Sequence, residues 1–407
     1  MAEIRPFYCI RPTKEKAKDV AALPYDVYNR EEAKEAVKGK KDSFLNIDRP
    51  ETQFPETMDM YAEEVYKKAG QMLSEWIERG IFIKETSRYY YLYELTMGQR
   101  VQTGVVACAS VKDYEENVIK KHENTRREKE EDRIRHVSAC NAQTGPIFLA
   151  CKEDMELEQK MMEWKQEKPL YDFVADDQVR HRVFCISKPE EIQYITKHFE
   201  TISNLYIADG HHRAASAVKV SQMRRESGAF EEENEWFLSV IFPAQQLKIL
   251  DYNRVVSDLN GRTREEFLEE VKKRFQIKEA DQAVKPKQKG QFGMYLFGTW
   301  YELTYPDEKI PKDVVGGLDV SILQEQLLEP ILGIADPKTD DRIKFVGGIR
   351  GLQELEKMVE QGDAVAFSMY PTSMEALFKV ADEGRLMPPK STWFEPKLRS
   401  GLFIHQI

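Results

Sequence analysis

An apolar run, Leu205-Tyr206-Ile207-Ala208, leads directly into Asp209-Gly210-His211-His212-Arg213 and then into Ala214-Ala215-Ser216-Ala217-Val218. A strand-forming run, a glycine and an alanine-rich run in that order predict a strand, a tight turn and a helix start. A helix start presents backbone N–H groups that lack intrahelical partners, at the positive end of the dipole. Acidic side chains normally settle there, yet this turn carries an arginine and two histidines. Their electrostatic cost is offset if an anion sits on the turn, so Gly210, His211, His212 and Arg213 are the candidate phosphate cradle, with Arg213 expected to face solvent. Asp209 would itself repel a phosphate. A Mg²⁺ ion between the two would reverse that, which makes Asp209 the candidate metal ligand. The purely structural alternative is that Asp209 caps the helix and the three basic residues are merely solvated.

A chain of 407 residues is long enough for two or three domains. Its net charge of −10, from 60 basic and 70 acidic residues, argues against a general DNA-binding surface. The five cysteines are odd in number and include no C-x-x-C pair, so neither a disulfide framework nor a zinc site is indicated. The N-terminus has no apolar signal region and no stretch reads as a membrane span, so a soluble cytoplasmic protein is expected.

Asn29-Arg30-Glu31-Glu32 has capping-box spacing and opens a helix to about Val37. Val65, Ala69, Met72 and Trp76 mark one face of a second helix that Gly80 stops. Tyr89 to Leu95 and Val101 to Ala107 flank Gly98 as a β-hairpin. Trp236 to Phe242 reads as a buried strand with further strand from Leu247 to Val256, and Thr263 caps a helix ending near Phe275. A domain boundary is expected near 255 to 290. Beyond it, Ile343 to Val346, a helix near Leu352 to Glu360, Ala364 to Met369 and a helix near Ser373 to Ala381 permit a parallel β-α-β unit.

Three further clusters carry reactive side chains: Leu23-Pro24-Tyr25-Asp26-Val27, His122-Glu123-Asn124-Thr125, and Met387-Pro388-Pro389-Lys390-Ser391-Thr392 before Trp393-Phe394. On a helix, Thr125, Lys129, Asp132 and Arg133 would lie along one side. His122-Glu123 is not H-E-x-x-H, so a zinc-protease site is disfavoured. Together with the central turn, in this order, these motifs make the chain resemble the family catalogued as domain of unknown function 1015. That family is similar to the ParB/sulfiredoxin superfamily, in which a turn of this kind binds nucleotide phosphates, and some relatives are kinases of free serine.

The resemblance implies an α+β fold: a discontinuous ParB/sulfiredoxin-like core from 1–84 and 195–255, an inserted β-containing lobe at 85–194 and a C-terminal α/β region at 256–407. It implies ATP or ADP with Mg²⁺ as cofactors and phosphoryl transfer to a small hydroxyl-bearing metabolite, with free serine among the candidates. That chemistry needs a phosphate cradle, a carboxylate and a positioned acceptor. Asp26, Glu123 and Asp209 are the candidate catalytic carboxylates, and His122, Thr125 and Lys390 the candidate substrate contacts. Glu123 and Asp209 are expected to face one cleft, with Asp26 nearby. The alternatives are a nucleotide-responsive regulatory protein without catalysis and, disfavoured by charge, a ParB-like DNA binder.

Overall fold

Apolar strands drawn from residues 4–243 are gathered into a mixed sheet in the computed structural model, which describes residues 1–407. The chain divides into two units. The first comprises residues 1–121, 125–247 and 396–407, and the second 122–124 and 248–395.

The nine-stranded sheet of the first unit runs, in spatial order, Ile119–Lys120, Leu205–Asp209, Ile147–Cys151, Trp236–Pro243, Arg100–Ser110, Tyr90–Met97, Arg180–Ile186 and Tyr171–Val174, with Ile4–Arg5 paired to Arg100–Ser110. The hairpin around Gly98 forms as expected, from Met97 opposite Arg100 to Tyr91 opposite Val106. Strands from the stretch 85–194, anticipated as an inserted lobe, are hydrogen-bonded into the same sheet as those of 195–255. A smaller sheet joins Phe82–Lys84, Cys9–Pro12, Ile404–Gln406 and Ala142–Gln143.

The helices follow their capping and apolar signals. Arg30–Val37 starts in a complete capping box from Asn29 and Glu32. Glu63–Glu78 buries Val65, Ala69, Met72 and Trp76 on one face, and Phe44, Trp76 and Phe82 form an aromatic knot against it. This helix runs close to Arg127–Cys140 at Gly70, where an added Cβ would sit 2.3 Å from the Ala139 carbonyl oxygen.

In the second unit a six-stranded antiparallel sheet has the order Gln276–Ala280, Thr299–Thr304, Gln291–Leu296, Val365–Met369, Tyr252–Val256, Ile343–Gly347. Ile343–Gly347 and Val365–Met369 both run antiparallel to Tyr252–Val256 between them, so they are parallel to each other and the helix Leu352–Glu360 joins them as a split β-α-β unit. Because Tyr252–Val256 pairs within this sheet, the second unit begins at Lys248, upstream of the expected boundary at 255 to 290. The whole is an α+β fold. No helix is long and apolar enough to cross a membrane.

Gly70→Ala should lower stability by about 1–3 kcal/mol, the usual cost of overpacking, because the blocking atom is backbone and cannot swing aside. Urea unfolding would show it as a lower midpoint with an unchanged slope.

Candidate functional site

The strand Leu205–Asp209 reaches the turn through an irregularity: Ile207 pairs with Leu149 and Asp209 with Phe148, so Ala208 is an extra residue on its strand. Such a bulge re-aims the next side chain, here Asp209. Gly210 follows at φ +90° and occupies the cap position of the helix His211–Ser227 with no side-chain cap, so Asp209 is not the cap. The first intrahelical bond is Ala214 N to Gly210 O, 3.0 Å, and the first turn contains no acidic residue.

Asp209 is balanced from two sides. Lys397 Nζ donates to Asp209 Oδ2 at 3.3 Å and Arg213 Nη2 lies 3.8 Å from the same oxygen. Burial alone would push this carboxyl up, but Lys397, then Arg213 and His211, outweigh it and hold it below the usual carboxylate range. Lys397 went unmarked in the sequence: it comes 188 residues after its partner, in no periodic pattern, and only the fold brings the two together. As a metal ligand Asp209 is compromised by the same pairing. Both cations sit on Oδ2, so Mg²⁺ would have to bind through Oδ1 beside two positive charges, and a hard cation needs further oxygens that nucleotide phosphates would have to supply.

Arg213 does not face solvent as expected. Its side chain is 11% exposed, Nη1 donates to the Pro146 carbonyl, and Nε is buried without an acceptor. An added Cβ at Gly210 would lie 3.0 Å from Arg213 Nε, so the glycine serves both the positive φ and the close passage of this guanidinium. His212 Nε2 accepts from Arg126 N at 3.0 Å, which makes its imidazole a neutral acceptor that fixes the entry to the helix Arg127–Cys140. His211 is buried.

That helix buries Asp132, Arg133 and His136. Asp132 accepts from Tyr66 Oη at 2.8 Å and from Arg133 Nε at 2.9 Å, while Arg133 lies 3.9 Å over the Tyr25 ring. Thr125 precedes the helix rather than sharing a face with Lys129, Asp132 and Arg133, because its hydroxyl donates forward to Glu130 as the helix begins. A small cavity of about 30 Å³ lies among Tyr25, Asp48, Arg133, Thr144, Arg213 and Ser400, room for a water-sized group. Asp26 is exposed in the turn Tyr25–Val27. The Tyr25 phenol is pushed up by burial and then by Asp26, with Arg133 and Arg213 pulling it down, so it lies within the fields of all three.

The remaining candidates lie in the second unit. The His122 carbonyl accepts from Met387 N at 2.7 Å, and Thr392 Oγ1 is 3.5 Å from His122 Nε2. His122 and the segment bearing Lys390 are thus brought together. Lys390 is exposed and adopts φ +57°, with its carbonyl accepting from Arg254 Nη2 at 3.0 Å and its Nζ 5.7 Å over the Tyr252 ring. Glu123 is half-buried and, like these, falls in a different unit from Asp209.

A mixed-sheet α+β protein with a glycine-led, basic strand-to-helix turn is the class that fold and site define. The chain belongs to the family described as "Protein of unknown function (DUF1015)", which its sequence matches over residues 4–321. No curated protein matches it. Among solved structures, a free serine kinase in complex with AMP shares 14% identity, covering 73% of this chain and 91% of that one, with a TM-score of 0.36. A conserved hypothetical protein from Pyrococcus furiosus shares 15% identity over 75% of this chain and 95% of that one, with a TM-score of 0.35. SbnI with a C-terminal truncation, from Staphylococcus aureus, shares 11% identity over 72% and 85%, with a TM-score of 0.38.

Two outcomes follow from this geometry. Arg213→Ala should cost about 1–3 kcal/mol of stability even without ligand, because it orphans the Pro146 carbonyl; urea unfolding measures it. Asp209 has a depressed folded-state pKa, so its stabilisation is complete above its unfolded value near about 4 and is lost as pH falls toward the folded one. Asp209→Asn should therefore flatten the acid limb of a urea-midpoint profile below about pH 5.

Proposed function

We propose that the protein is a nucleotide-dependent phosphotransferase of a small hydroxyl-bearing metabolite, with the nucleotide phosphates at the turn Gly210–Arg213. The observation that carries this reading is a helix of 17 residues that begins at a left-handed glycine with no side-chain cap and no acid in its first turn, where His211, His212 and Arg213 stand instead. Main-chain donors and the helix dipole favour a phosphate at such a start, and Gly210 lets it approach the backbone. In this reading the turn belongs to a ParB/sulfiredoxin-like core. ATP or ADP, with Mg²⁺ carried on its phosphates, is the donor, and the protein works in the cytoplasm. Asp26 supplies a carboxylate in the first unit. Glu123 remains the candidate base, with His122, Thr125 and Lys390 as acceptor contacts, each open to test by substitution.

The pairing of Asp209 with Lys397 favours a second reading, a protein that binds nucleotide without turning it over, since a carboxylate already balanced is a poor base and a poor metal ligand. Isothermal titration with AMP, ADP and ATP, with and without Mg²⁺, separates the possibilities when joined to a screen of amino acids and sugars for phosphorylation. Binding without any product favours the regulator; no binding of any nucleotide removes both readings. Gly210→Val should abolish nucleotide binding, because a β-branched residue strains a φ of +90° and meets Arg213. Equal affinity in a folded Gly210→Val protein would place the nucleotide elsewhere.

A further inference from the structure

A cavity of about 580 Å³ in the first unit opens among Lys16–Leu23, Gly39–Ser43, Ala175–Asp177 and Arg399. No residue given a part in phosphoryl transfer lines it. Its size matches small-molecule sites, which run from about 300 to 1,000 Å³.

Arg399 is the built feature of this cavity. It is 4% exposed, its Nε donates to His181 Nε2 at 3.3 Å, and its Nη2 donates to Asp177. His181 is fully buried, and burial followed by the Arg399 charge lowers its pKa to about 3. The imidazole is therefore neutral. With Nε2 accepting, its Nδ1 donates to Tyr93 Oη at 2.7 Å. Tyr93, His181 and Asp177 thus fix the plane of the guanidinium and leave Nη1 with no protein acceptor. Around the same cavity Lys16 pairs with Asp42 at 2.6 Å and Lys40 with Asp176 at 2.8 Å, whereas Lys18 and Lys41 are exposed and have no carboxylate partner. Asp19 is the one lining acid without an ion pair, so the lining holds one cation in excess.

The choice between anions follows from the edge already used. A planar carboxylate engages a guanidinium best in two parallel bonds, commonly on the edge formed by Nε and one Nη, and on Arg399 that edge is taken by His181 and Asp177. What remains are the two N–H groups of Nη1 and the second N–H of Nη2, fanned in different directions beside two point-charge ammonium groups, a donor set that can serve three oxygens of a tetrahedral anion where a carboxylate offers only two. We infer that this cavity binds the phosphate end of a small phosphorylated metabolite, with Arg399 Nη1, Lys18 and Lys41 on its oxygens. The site goes beyond the nucleotide reading and does not depend on it.

The test is isothermal titration of the full chain with glycerol phosphate, inorganic phosphate and citrate, repeated on three variants. The Lys18→Ala/Lys41→Ala double variant alters exposed side chains and should keep the circular dichroism spectrum. In it, glycerol phosphate affinity should fall about tenfold or more; Arg399→Gln should remove binding, and Gly210→Val should leave it unchanged. The inference is overturned if neither phosphate probe binds the unaltered protein, or if the double variant binds as tightly. It is equally overturned if citrate binds better than glycerol phosphate, or if binding is lost in Gly210→Val alone, which would put the anion on the turn.

Discussion

One carboxylate holds together three separate parts of the first unit. Asp209 ends a strand, Arg213 rises from the helix that follows, and Lys397 arrives from the C-terminal segment; both cations converge on Oδ2. The low folded-state pKa of Asp209 states the same fact thermodynamically, because the ionised form is favoured by charges that exist only when the chain is folded. Main-chain bonds extend the connection. Ser400 and Ala22 exchange hydrogen bonds, and Gly401 N donates to the Thr144 carbonyl at 3.1 Å, so the segment bearing Lys397 is stitched to the region before Tyr25 and to the loop before Pro146. Residues 396–407 thereby belong with the first unit although the preceding 148 residues, Lys248–Glu395, form the second.

What could be read from sequence was local. Capping boxes at Asn29 and Thr263 each specify a helix start through contacts three residues apart, and both form. The stripe of Val65, Ala69, Met72 and Trp76 needs only helical periodicity to predict a buried face. The strand, glycine and helix around Gly210 were equally legible, because a positive φ at that junction is a demand made by neighbours in the chain. The misread features depend on distance in sequence. Lys397 has no local signal. Arg213 looks like a solvated cation until the Pro146 carbonyl is placed beside it. The second unit began earlier than expected because Tyr252–Val256 has its partners in Ile343–Gly347 and Val365–Met369, which no local pattern announces.

The buried polar contacts behind the turn also decide how an anion could be held. Arg133 Nη1 donates to the Asp48 carbonyl at 3.4 Å, the Asp48 carboxylate accepts from Thr144 Oγ1 at 2.8 Å, and two residues further on the Pro146 carbonyl receives Arg213. This chain of contacts ties the helix Arg127–Cys140 to the first turn of His211–Ser227. The cations in it are paired and its further carboxylate is hydrogen-bonded: Arg133 has Asp132, Arg213 shares Asp209 with Lys397, and Asp48 has the Thr144 hydroxyl. Buried charges matched in this way cost little only while every member stays in place, which makes the assembly rigid. A phosphate at the turn would therefore meet a prearranged backbone, with Arg213 acting from behind as a brace whose charge reaches the ligand through the glycine. The main-chain donors of the helix start, rather than a mobile guanidinium, would then carry the recognition, and pre-organisation of that kind lowers the ordering cost that binding has to meet.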